Sequence, residues 1–173
     1  MSGEYTIKGI LEDAVNFDKR HKAIHEGNFY SVSAKIQSLG AGETYKVVGI
    51  TGSKYIHIVP PSVTIYGSYA DVIAYENVTG VTGGSSLTPK NNYFEHSNVS
   101  TWTIKGGVTI AGQGDEVWNT VSIGGSKSGG STPSFLERVL SPYKTYSLEI
   151  TNRDNSAIPL WIMLEWYETL TIN

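Results

Sequence analysis

The stretch Thr145-Tyr146-Ser147-Leu148-Glu149-Ile150-Thr151 decides how the chain is read. Tyr146, Leu148 and Ile150 alternate with Ser147, Glu149 and Thr151, a period of two that sets one apolar face inward and one polar face toward water. Further runs of this kind recur every ten residues or so: Phe29 to Ile36, Thr44 to Ile50, Tyr55 to Val59, Ser62 to Tyr66, Val72 to Tyr75, Thr101 to Lys105, Val108 to Ile110, Val117 to Ile123 and Leu160 to Tyr167. Turn residues punctuate them, at Leu39-Gly40-Ala41-Gly42, Thr51-Gly52-Ser53, Pro60-Pro61, Gly106-Gly107 and Asn152-Arg153-Asp154-Asn155. Short strands at this spacing predict an antiparallel sandwich or barrel. Composition agrees: 30 Val and Ile, 16 Thr and 11 Tyr in 173 residues suit half-buried pleated surfaces, and 19 Gly supply the reversals. The chain reads as a single all-β domain.

The run Leu160-Trp161-Ile162-Met163-Leu164 is apolar on both faces. One side must be core, and an open edge strand this apolar would invite aggregation, so the strand is expected to be central or covered. Trp161 and Met163, on the other side, need cover from an arm, a loop or another subunit, and are assigned to a subunit interface. Two segments resist a strand reading. Glu76 to Ser100 reads as a long connection, and Gly124 to Pro133 has a linker's composition and is expected as an exposed loop. Beyond it, Ser134 to Leu140 suits either one helical face or an extended run into a turn.

Residues 1–27 are denser in charge than the remainder and read as an arm leading into a sandwich domain over 28–173. Within the arm, Ile7, Ile10, Leu11, Ala14 and Phe17 fall at spacings of three and four, which suits a short amphipathic helix weakened by Gly9. The arm is apolar in places and unneeded by the sandwich, so Ile7, Ile10, Leu11 and Phe17, with His21 and His25, are the expected partner-contacting residues.

Several chemistries are set aside. A net charge of −3 offers no excess positive field for phosphates, so nucleic acid is not expected as a partner. With no cysteine there are no disulfides, thiolate nucleophiles or thiolate metal sites. No run of 18 apolar residues and no signal-peptide core is present, which predicts a soluble protein made in the cytoplasm, away from membranes.

His21 and His25 stand four apart as in helical zinc sites, but Lys22 occupies the place where a general base would follow the first histidine. A third ligand would have to come from His57, His96 or a distant carboxylate. Both histidines are therefore read as part of the lead-in to the first strand, bonded to backbone or facing a partner. There is no Gly-x-Ser-x-Gly elbow. The adjacent carboxylates Glu12-Asp13 and Asp115-Glu116 would point to opposite faces of a strand. The glycine-rich stretch with Lys127 lacks a phosphate loop's ending. The expectation is a protein with no catalytic residues, cofactor or metal. Trp102 and Trp118 read as core, while Tyr66, Tyr69 and Tyr93 lie beside loops and could face a glycan or a protein. Asn77-Val78-Thr79 and Asn98-Val99-Ser100 match glycosylation acceptors but read as turns.

Three ordered stretches resemble a group of tailed-bacteriophage virion proteins. They are Arg20-His21-Lys22-Ala23-Ile24-His25-Glu26-Gly27-Asn28-Phe29; Tyr75-Glu76-Asn77, then a Gly and Thr-rich loop and Leu87-Thr88-Pro89-Lys90-Asn91-Asn92; and Pro142-Tyr143-Lys144-Thr145-Tyr146-Ser147-Leu148-Glu149-Ile150-Thr151-Asn152-Arg153, closing with Leu164-Glu165-Trp166-Tyr167-Glu168. Together they cover about a third of the chain. The resemblance implies a jelly-roll-like β-sandwich that decorates or cements the outside of a phage head, a symmetric oligomer seated on the major capsid protein. A homotrimer is the preferred state, because capsid lattices offer local threefold positions. The alternative is a tail or head-fibre module recognising a host-surface glycan.

Overall fold

The chain's period-two runs pair into two antiparallel sheets. A computed structural model describes residues 19–123 and 137–172. Residues 19–25 form a helix, α1, and eleven strands follow: β1 (Phe29–Leu39), β2 (Thr44–Ile50), β3 (Tyr55–Ile65), β4 (Tyr69–Glu76), β5 (Thr82–Leu87), β6 (Lys90–Asn91), β7 (Thr103–Thr109), β8 (Asp115–Ile123), β9 (Arg138–Leu140), β10 (Thr145–Asn152) and β11 (Ile158–Thr169). One sheet has the order β6-β1-β11-β3-β9 and the other β5-β7-β2-β10-β4-β8. Without the inserted strands β5 to β7, eight remain. The first, eighth, third and sixth lie side by side in one sheet, and the second, seventh, fourth and fifth in the other. That is a jelly roll of two Greek keys. The insertion extends both sheets along their β1/β2 side and covers that edge.

The core is the filling between the sheets. From β11 come Leu160, Ile162, Leu164 and Trp166, facing Val47, Leu148, Ile150 and Ile104 from the other sheet. Trp102 meets Trp166 edge-on with ring centroids 4.9 Å apart, and Tyr30 stacks on the same indole at 5.9 Å, favourable aromatic geometries. β11 lies between β1 and β3, so the most apolar strand is central, as its composition predicts.

Four local expectations are corrected. Pro60-Pro61 does not end a strand: β3 runs through it, and the register with β11 slips between Met163 and Glu165. A bulge is where a sheet tolerates residues that cannot donate to the ladder. Gly106-Gly107 likewise lies inside β7, with Gly107 at φ +71°, a backbone that suits glycine. The segment 76–100 contains β5 and β6. Its Thr82-Gly83-Gly84-Ser85-Ser86 has no apolar alternation for a period-two reading to find.

The fourth correction concerns β10. Ser147 and Glu149 are buried, not facing water. Residues 77–81 and 110–114 cross that outer face, bridged at Thr79 and Gly112, and Val78 packs there with Val48 and Val108. Glu149 keeps its charge satisfied by Lys46 at 3.1 Å and Gln113 at 3.2 Å. Trp102 is core as expected, whereas Trp118 is only partly buried beneath the Arg138 guanidinium, 5.6 Å from its ring.

α1 packs on the body. Ala23 is buried with Phe29 and Tyr167, and Ile24 and Val59 complete the cluster. Ile7, Ile10, Leu11 and Phe17, with the helix expected there, lie outside the described residues, as do the glycine-rich stretch 124–133, Ser134 to Leu136 and Glu12-Asp13. No helix among the described residues is long and apolar enough to cross a membrane.

Candidate functional site

Strand registers fix which loops share an end of the sandwich. Phe29 pairs with Tyr167, Thr169 with Tyr55, Thr145 with Ile50, and Ile50 with Thr103. The β2–β3 turn, the loop from β6 to β7, the β9–β10 turn, the segment after β11 and α1 therefore gather at one end. The turns β1–β2, β3–β4 and β10–β11 gather at the other.

The α1 end is apolar where a surface would ordinarily be polar. Phe94 is 93% exposed, Val99 82%, Tyr143 79% and Leu170 75%, and Ile172, Ile50 and Tyr93 are also exposed there. Exposed large apolar side chains gathered at one end of a domain mark a candidate interaction site. Toward the opposite end, Tyr66, Tyr69 and Val121 are exposed among the described residues. Tyr66 and Tyr69 thus lie at the far end from Tyr93, and the three tyrosines do not converge on one site.

These apolar tips sit on anchored loops. The Glu168 carboxylate is fully buried and accepts from Ser100 Oγ at 2.6 Å, the Thr101 amide at 2.9 Å and Thr101 Oγ1 at 3.0 Å. Lys54 Nζ lies 3.7 Å away, and Trp166 Nε1 donates at 3.4 Å. One carboxylate so joins β11, the β2–β3 turn and the segment leading into β7. Above it, burial and then the Glu168 charge push the Tyr30 phenol up to about 12. On the α1 side, Asn98 Nδ2 donates to the Glu26 carbonyl, and Asn91 Nδ2 to those of Gly27 and Asn98.

Tyr143 carries a further sign of function. It holds φ +56° at the β9–β10 turn, with its amide donating to the Gly52 carbonyl at 3.0 Å. A bulky residue in the left-handed region is strained by about 1–2 kcal/mol. Here a strained backbone aims an exposed aromatic outward, the kind of outlier that clusters at functional positions.

A second cluster at this end ties Glu137, just ahead of β9, to β3 and β11. His57 Nδ1 lies 2.9 Å from Glu137 Oε1, and its Nε2 lies 2.9 Å from Thr169 Oγ1. The Tyr167 hydroxyl donates to the same Glu137 oxygen at 2.8 Å, and its ring stacks on His57 at 4.4 Å. Burial opposes ionisation of Glu137, but the hydrogen bonds from His57 and Tyr167 and the charges of His57 and Lys19 outweigh it and hold its carboxyl below the usual range. Hydroxyl, imidazole and carboxylate stand in line as in a hydrolytic triad. The Thr169 hydroxyl, however, donates to the Thr171 carbonyl at 2.7 Å. One hydroxyl proton serves one acceptor at a time, so Thr169 is shared between the Thr171 carbonyl and the His57 ring.

Of the sequence-predicted contact residues, the structure brings His21 and His25 together on α1, their Nε2 atoms within hydrogen-bond distance of each other. Trp161 and Met163 lie on the outer face of the first sheet, 48% and 38% exposed. They border a cleft of about 350 Å³ shared with Ser31, Ser33, Leu87 and Lys90. Among the described residues no three potential metal ligands cluster. Sequence reasoning passed over Phe94, Val99, Tyr143 and Leu170, whose signal is an isolated large apolar residue among turn residues. The chain matches no family model, no curated protein and no solved structure.

Proposed function

We propose that the protein is a non-enzymatic structural component of a tailed-phage particle, a decoration protein seated on the outer surface of the head. In this reading the α1 end contacts the major capsid protein and the Trp161–Met163 face joins the protein to further copies of itself as a trimer. The observation that carries the reading is the crowding of exposed Phe94, Val99, Tyr143 and Leu170 at the end where α1 also lies. It is supported by the three stretches that resemble phage virion proteins and by the jelly-roll body those stretches imply.

A protein that contacts two or three capsid subunits at once opposes their separation, adding binding free energy to a shell under internal DNA pressure. An interface of about 1,200–2,000 Å² per contact suffices for stable attachment, and a trimer bound to a lattice gains avidity from its linked sites. Aromatic and large aliphatic anchors at the centre of such a contact supply most of the energy. The test is cosedimentation with empty heads of the phage that encodes the chain. The expected result is saturable binding, weakened at least tenfold by Phe94→Ser with Val99→Ser. Heads that never retain the protein would end the proposal.

A second reading, a glycan-recognising tail or head-fibre module, draws on exposed Tyr66 and Tyr69 at the far end. A glycan array separates the two: specific sugar binding lost with Tyr66→Ala, with no affinity for heads, favours the second.

A further inference from the structure

On α1, His21 and His25 are one helical turn apart and both exposed. Their Nε2 atoms lie 3.2 Å from each other, with ring centroids 4.5 Å apart and planes at 77°. A contact between two imidazole nitrogens needs a proton on one ring and a lone pair on the other. The two nitrogens are also spaced to share something other than a proton. Atoms 3.2 Å apart subtend about 100–106° at a zinc ion placed 2.0–2.1 Å from each, close to a tetrahedral angle.

We propose that His21 and His25 form a two-imidazole chelate for a divalent transition metal of the Zn²⁺, Ni²⁺ or Cu²⁺ class. Imidazole suits these ions, and Cu²⁺ should bind tightest. The helix supplies the preorganisation: positions four apart share a face, and Ala23 and Ile24 pack that helix on Phe29, Tyr167 and Val59. Of the cations flanking His21, Lys22 is turned toward Glu26 at 3.8 Å, while Arg20 and Lys19 bear on Tyr167 and Glu137. Only two positions of the metal are filled by this pair, so the rest are open to water or to a donor from a docked chain. The site is distinct from a helical zinc-protease motif, because no carboxylate follows His21.

The test is titration of the full chain with each metal alone, followed by calorimetry and, for Cu²⁺, by electron paramagnetic resonance. The expected result is one site per chain with nitrogen couplings in the copper spectrum, and affinity lowered at least tenfold by His21→Ala or His25→Ala. Both side chains are exposed, and circular dichroism should show the variants folded. Acidification should release the metal, because an imidazole must give up its proton to bind. Metal binding that is absent, or that survives both substitutions undiminished, would overturn the proposal. Either outcome leaves the head-binding experiment unaffected, so the two readings fail separately.

Discussion

Replacing Glu168 by Ala should loosen the α1 end from the body. The substitution removes a fully buried carboxylate and leaves the Thr101 amide, the Trp166 indole N–H and the hydroxyls of Ser100 and Thr101 without that acceptor. It also leaves Lys54 without its partner. Hydrogen bonds to a charged group contribute about 1.5–3 kcal/mol each, though not additively, and breaking a buried charged group away from its partners typically costs about 3–5 kcal/mol. We therefore expect a loss of about 4 kcal/mol. In urea, with a slope of about 2 kcal/mol per molar, the midpoint should fall by about 2 M. In heat the Tm should fall by about 8–16 °C for a chain of this size. Glu168→Gln should cost less, about 1–3 kcal/mol, because its carbonyl can still accept while its amide hydrogens meet donors. A loss below about 1 kcal/mol for the alanine variant would refute the claim that this carboxylate anchors the loop carrying Val99.

Tyr143→Gly should raise stability by about 1 kcal/mol, since glycine adopts the left-handed backbone without strain, while weakening attachment to heads; urea melts and cosedimentation check the two halves, and a destabilised variant would contradict the strain argument. Leu148→Ala should cost about 2–5 kcal/mol, because this buried side chain borders an apolar cavity of about 80 Å³; a negligible change in urea would mean that its face is not core. Glu137, whose carboxyl is held low, contributes stability that is complete above the unfolded carboxylate value of about 4.3 and is lost as pH falls through the folded value. Glu137→Gln should therefore be less stable than the parent at pH 7, with the gap narrowing in acid, and a gap constant across the acid limb would contradict the assignment.

Much of the fold was legible because the two sheets impose a strict alternation on their strands. The β10 stretch carries that alternation in its side chains, and both it and Thr44 to Ile50 were readable to within a residue. Where a neighbour covers the outer face, the pattern misleads. Ser147 and Glu149 look solvent-facing, yet residues 77–81 and 110–114 cover them, a contact between segments distant in sequence. Pro60-Pro61 and Gly106-Gly107 read as breaks because local propensity cannot see that a bulge absorbs the prolines and that a left-handed Gly107 lets β7 run on. The site was harder still. Trp161 announces itself by sitting in an apolar run, but Phe94, Val99 and Tyr143 are single apolar residues in turn-rich segments. Only the strand registers bring them to one end, and only the backbone at Tyr143 shows its strain.

The absence of cysteine in the chain makes the orientation of docking directly measurable. Single cysteines placed at Val99, on the α1 end, and at Tyr66, on the opposite end, can each be coupled to a bulky maleimide polymer before mixing with empty heads. The account predicts that the label at position 99 blocks attachment and that the label at position 66 leaves it intact. Attachment blocked from position 66 and untouched from position 99 would contradict it.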